Sequence, residues 1–157
     1  MEGELRFPRI VAVTLSGKHL VFPDSIGESG ALVLLAFRRH AQPPVDSWMN
    51  PISRRLQDAG KANFYEVPVL SGGWRMVSGF IDSGMRSGIP PHRHDHVATY
   101  YGNTQRVQDA LSIDDLDTAY AYVIDEDGKV HFHDSGWASP EKISRAFEAL
   151  TAIVPTS

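Results

Sequence analysis

The stretch Ala31-Leu32-Val33-Leu34-Leu35-Ala36-Phe37 constrains the fold more than any other segment. It is continuously apolar and is bounded by Gly30. A strand with one wet face alternates apolar and polar residues; a run like this is expected where both faces are covered. Such strands belong to parallel or mixed sheets with helices packed on the two sides. The run is also far shorter than the ~20 apolar residues that a membrane-spanning helix needs.

The neighbouring segments supply the rest of that architecture. Phe7 to Phe22 reads as an entry strand or short hairpin, with Ser16-Gly17-Lys18 as its turn. Arg38 to Pro44 is polar, ends in Pro43-Pro44 and reads as a loop. A helix is predicted over Val45 to Ala59, because Val45, Trp48, Met49, Ile52, Leu56 and Ala59 share one face and Gly60 closes the segment. Pro51 lies inside it and should kink it. Asn63 to Leu70 reads as the second strand. Helical spacing of Trp74, Val77, Ile81 and Met85 predicts a further helix ending near Gly88.

Val97 to Tyr101 is then a short strand, and Asn103 can cap a helix over Thr104 to Leu111. Thr118 to Ile124 and Lys129 to His133 flank Asp125-Glu126-Asp127-Gly128, a strong hairpin signal. Ser139-Pro140-Glu141 opens the last helix, with Ser139 as N-cap and a stripe of Ile143, Phe147, Leu150 and Val154. The order is strand, helix, strand, helix, strand, helix, hairpin, helix. It predicts a single α/β domain over residues 1–157, a mixed central sheet between helical layers.

Composition narrows the chemistry. The 157 residues include no cysteine, which excludes thiol nucleophiles, disulfides and cysteine-ligated metals. The formal charge of -4 carries no long run of one sign and argues against a nucleic-acid partner. No Gly-x-Ser-x-Gly or phosphate-binding Gly-rich loop is present. The start, Met1-Glu2-Gly3-Glu4, lacks the positive region of a signal peptide, so a soluble cytoplasmic protein is expected.

Leu34-Leu35-Ala36-Phe37, Arg38-Arg39-His40-Ala41 and Gln42-Pro43-Pro44-Val45 follow one another as strand, loop and helix start. That series resembles the active-site region of thioredoxin-like domains. In membrane-tethered relatives the tetrapeptide looks like Cys-Pro-Pro-Cys, so Gln42 and Val45 would hold the two sulfur positions. Tyr122 to Val130 resembles the hairpin of the same superfamily. Pro51 falls about one residue late for the superfamily's helix proline. Asp117-Thr118-Ala119 stands where a cis-proline usually precedes the hairpin strand.

A narrower likeness runs from Phe7 to about Leu150. It rests on Val45-Asp46-Ser47-Trp48, Gly84-Met85-Arg86-Ser87-Gly88-Ile89-Pro90, Thr99-Tyr100-Tyr101, Asp127-Gly128-Lys129-Val130 and Ser135-Gly136-Trp137-Ala138. Together these resemble the mitochondrial ATP-synthase assembly factors that act on the membrane-embedded sector. His131-Phe132 replaces that family's usual Arg-Trp after the hairpin glycine. The resemblance implies a thioredoxin-like three-layer fold without redox activity. It also implies a non-catalytic binding or chaperone-type assembly role, with a protein or peptide partner such as an ATP-synthase or other membrane-complex subunit.

Three sets of residues are candidates for a site. The loop residues Arg38, Arg39, His40, Gln42, Pro43 and Val45 lie at a helix start, where backbone N–H groups favour an anion or a peptide carbonyl; the plainer reading is a solvated basic loop. His92, His94 and His96 alternate, with Asp95 among them. In an extended segment they share a face and can hold zinc or copper, whereas in a helix only His92 and His96 pair. His131, His133 and Asp134 repeat the alternation, and the plainer reading of both clusters is a polar loop. Trp48 and Trp74 belong to apolar stripes, and Trp137 is also read as core. The alternatives to a binding protein are a metal-binding protein and a cysteine-independent enzyme using histidine. Thiol oxidoreductase and peroxidase activities are ruled out, because both need a thiolate.

Overall fold

The computed structural model describes residues 5–61, 63–71 and 91–153. Strands β1 (Ile10–Thr14) and β2 (His19–Phe22) form the entry hairpin. They are followed by β3 (Ala31–Ala36), α1 (Gln42–Asp58) and β4 (Phe64–Ser71). Next come β5 (Ala98–Gly102), α2 (Thr104–Leu111), β6 (Tyr120–Ile124), β7 (Val130–Ser135) and α3 (Pro140–Thr151). The predicted helix around Trp74 to Gly88, and the Gly84–Pro90 motif, lie outside the described residues.

The seven strands make one sheet in the order β2-β1-β5-β4-β3-β6-β7. β3 and β4 are parallel neighbours joined by α1, and β4 is parallel to β5. The outer pairings are antiparallel. Every residue of β3 is buried, because both sheet faces are covered. Leu32 and Leu34 face α1 and α3, in a core that includes Trp48, Ile52, Phe64, Val123 and Ile143. Val33 and Leu35 face the other way, with Val67, Tyr122 and the α2 residues Val107 and Leu111. This is the predicted three-layer α/β arrangement with a mixed central sheet.

Helix ends follow local chemistry. Asn103 Oδ1 accepts the Arg106 backbone N–H at 3.2 Å, and Ser139 Oγ accepts that of Lys142 at 3.2 Å. At the end of α1 the Gly60 N–H donates to the Gln57 carbonyl and the Lys61 N–H to that of Leu56. Gly60 has φ 73°, so this is a Schellman closure.

Several boundaries shift by one to three residues, and two of the shifts have a local reason. α1 begins at Gln42 rather than Val45, so Pro43 and Pro44 lie inside the helix. The first-turn N–H groups have no intrahelical carbonyl to meet, and proline there loses nothing. β7 runs two residues past His133, through Asp134 and Ser135. Those residues are polar, but their backbones pair with Ala121 and Tyr120, and antiparallel pairing at a sheet edge does not require apolar side chains.

Candidate functional site

β3 ends at Ala36 and delivers Arg38, Arg39 and His40 to the surface, ahead of a 3-10 turn over Arg39–Ala41. Arg38 Nη1 donates to Asp117 Oδ1 at 2.7 Å, and His40 Nε2 lies 2.7 Å from the same oxygen. The Asp117 N–H donates in turn to Asp115 Oδ1, so the carboxylate is presented by an Asx turn. His40, and then Arg38, hold the Asp117 carboxyl below the usual carboxylate range. Arg39 is exposed.

Gln42 occupies the first of the two sulfur positions and is exposed, as is Pro43. Its amide donates to Asp46 Oδ1 one turn on, at 2.9 Å. Beneath it lies Glu66 of β4, only 3% exposed. Burial pushes the Glu66 pKa up, and the neighbouring Gln42 amide and Arg93 guanidinium pull it back. Arg93 Nη2 stands 3.7 Å from Glu66 Oε1, and Arg93 Nη1 donates to Asn50 Oδ1 of α1. The region is therefore a polar network of amide, carboxylate and guanidinium groups. It contains no thiol.

Val45, the second sulfur position, is fully buried. It lies on the apolar stripe of α1 with Trp48, Met49, Ile52 and Leu56, which packs against the sheet. Trp137 departs from expectation: it is 62% exposed, not core. Its loop is pinned by backbone bonds that leave the indole outside. Trp48 Nε1 donates to the Gly136 carbonyl at 2.8 Å, and the Gly136 N–H donates to that of Ala119 at 2.9 Å. The Ala138 N–H donates to Ser47 Oγ, and Lys142 Nζ to the Trp137 carbonyl. Trp48 fills the core position instead, edge-on to Phe132. Trp74 lies outside the described residues.

The histidine segment is a 3-10 helix over Pro91–His96, not an extended strand. At three residues per turn, alternate positions point in different directions, so the shared face that an extended segment offers is not formed. His96 Nδ1 lies 2.8 Å from the Phe64 carbonyl, and its ring stacks on Phe64 at 4.0 Å. Asp95 is engaged by Ser16 and by Lys18 of the β1–β2 turn. The His92 side chain lies outside the described residues. In the second cluster His131 pairs with Asp125 at 2.9 Å, whereas His133 stacks on Tyr122 and Asp134 meets Lys142. Among the described residues, no three potential ligands are grouped for a metal ion.

Asp117 and Glu66 were not among the sequence candidates. Glu66 carries a legible signal, as the only charged residue in the apolar strand Phe64–Leu70. The role of Asp117 depends on contacts with residues far away in the chain.

Fold and site together define a thioredoxin-like domain without cysteines. The chain belongs to the ATP10 protein family, an ATP-synthase assembly family, which it matches over residues 2–153. Among curated proteins no sequence matches it. BsSco, of the Sco family of cytochrome c oxidase assembly proteins, superposes with TM-score 0.64 at 15% identity, covering 95% of each chain. Yeast Sco1 with copper bound gives 0.62 at 12% identity, with 99% of this chain and 98% of that one covered. A thiol:disulfide interchange protein DsbE from Chlorobium tepidum gives 0.56 at 16%, covering 97% and 99%. At such identities the likeness shows the fold alone. Among the described residues no helix is long and apolar enough to cross a membrane.

Proposed function

We propose that the chain is a non-catalytic assembly protein that holds a polypeptide partner at the face where thioredoxins do thiol exchange. The observation that carries this reading is the occupation of that face. Gln42 is tied to Asp46 in place of a sulfur, and Asp117 binds Arg38 and His40 across the neighbouring loop. Such a surface can bind but has no group to exchange. Arg39, Pro43 and Trp137 are its exposed contacts. A rigidly mounted tryptophan is a favourable anchor, because little ordering entropy is left to lose on binding. Family membership supports a subunit of the membrane-embedded ATP-synthase sector, or of another membrane complex, as the partner.

The test is photo-crosslinking from position 39 or 43 of the tagged full chain in cells that assemble the ATP synthase. Membrane-sector subunits are the expected products, and their yield should drop in Trp137→Ala. Crosslinks confined to unrelated proteins, or disulfide exchange by the purified chain at enzyme-like rates, would count against the reading. Location is part of the same test. The sequence-based expectation is cytoplasmic, whereas action on ATP-synthase subunits requires the compartment that holds them; fractionation of the tagged chain decides between the two.

A further inference from the structure

A cleft between the C-terminal end of α2 and the β6–β7 pair has no part in that reading. Tyr122, which lines it, belongs to the sheet face opposite α1. The volume is about 590 Å³, within the roughly 300–1,000 Å³ of small-molecule sites. Leu5 and Leu111 contribute apolar surface, and Tyr120, Tyr122 and His133 contribute rings. The one charged lining residue, Asp134, is neutralised by Lys142 at 3.5 Å and accepts the Ser135 N–H.

Three hydroxyls in the lining, those of Ser112, Tyr122 and Ser135, make no hydrogen bond to a described residue. Tyr122 is 2% exposed, and its hydroxyl makes no hydrogen bond to any described residue. The Tyr120 hydroxyl, by contrast, donates to the Asp115 carbonyl at 2.7 Å. Phe7 meets the Tyr122 ring edge-on at 5.7 Å, and His133 stacks on it at 6.3 Å with 18° between planes. Burial raises the Tyr122 pKa, so the phenol stays protonated and can donate. The hydroxyl opens into the cleft, so water or a ligand can supply the acceptor that the protein does not.

A second hydroxyl is that of Ser112, which caps α2 at φ 56° and is the only non-glycine among the described residues at positive φ. Glycine would sit there without strain. Serine accepts the strain and adds a hydroxyl to the cleft, the kind of local cost that clusters at binding sites.

We propose that this cleft binds a small uncharged aromatic molecule carrying a hydrogen-bond acceptor, with its ring against Leu5 and the exposed His133 ring and its acceptor on the Tyr122 hydroxyl. Stacked rings select a flat ligand, and the compensated charge of the lining selects a neutral one.

Benzamide is a suitable probe, titrated into the isotope-labelled full chain by amide NMR. The expected result is saturable shifts at Leu111, Ser112, Tyr122 and His133. Tyr122→Phe keeps the ring, removes a hydroxyl with no protein partner, and should weaken binding about 3- to 10-fold, the worth of one neutral hydrogen bond. If that variant does not fold, toluene against the wild-type chain reads the same bond, and it should bind weaker than benzamide by a similar factor. The proposal is overturned by absence of saturable shifts up to the solubility of benzamide, or by shifts that map to the α1–α3 face. Equal affinity in Tyr122→Phe, or equal affinity for toluene, overturns it as well.

Discussion

Asp117 Oδ1 lies 2.7 Å from His40 Nε2 and, at the same distance, from Arg38 Nη1, so one exposed oxygen ties the approach to β6 onto the end of β3. The partners are 77 and 79 positions from Asp117. This contact sets the shape of the loop where the superfamily places its reactive thiols.

The first prediction concerns that carboxylate. The folded-state pKa of Asp117 is lowered, chiefly by His40. A depressed carboxyl contributes stability above its unfolded pKa and loses it as pH falls through the folded value. Carbon-detected NMR should place the Asp117 titration below the ordinary ~3.9, and His40→Ala should move it back toward that value. Asp117→Asn should speed amide exchange over 39–42. Global stability should barely change, because exposed pairs contribute little.

Glu66 has the opposite sign. Burial raises its pKa, so its contribution is fully present below the unfolded value and is lost as pH rises through the folded one. Glu66→Gln removes that loss. Urea midpoints of the two proteins should diverge as pH rises from acid to alkaline, with the variant the more stable. Arg93→Met should deepen the decline in the chain that keeps Glu66, because the guanidinium favours the charged carboxyl.

Trp48 supports the exposed Trp137 from below. Trp48→Phe strips the Gly136 carbonyl of its donor. Loss of about 1–3 kcal/mol is expected from the orphaned acceptor, measurable in urea. Faster exchange at the Gly136 and Ala138 amides should accompany it. Trp137→Ala should stay within about 0.5 kcal/mol of wild type, because its side chain is solvent-exposed.

Ser139→Ala removes the α3 cap and should cost about 1 kcal/mol. Ser139→Gly should cost only a few tenths, since glycine tolerates the extended cap conformation. Chemical denaturation of the two variants side by side separates the lost hydrogen bond from backbone effects.

Much of the scaffold was legible because its signals are local. The apolar run of β3, the caps Asn103 and Ser139, and the turn at Asp125–Gly128 act within a few residues of themselves. The start of α1 was misread by three residues, because two prolines look like a loop and are equally at home in a first helical turn. Trp137 was assigned to the core by residue type, but its exposure follows from hydrogen bonds that Trp48, Ser47, Ala119 and Lys142 make to its loop.

By itself the amino-acid sequence determined the layers, the element types and the absence of sulfur chemistry, since periodicity, caps and composition need no partner elsewhere in the chain. Only the tertiary structure decided that Asp117 clasps Arg38 and His40, that Glu66 is buried under Gln42, that Trp137 is open, and that the Tyr122 hydroxyl is left without a protein partner. Each of these depends on side chains that meet across the sheet from distant positions, and such contacts leave no local pattern to read.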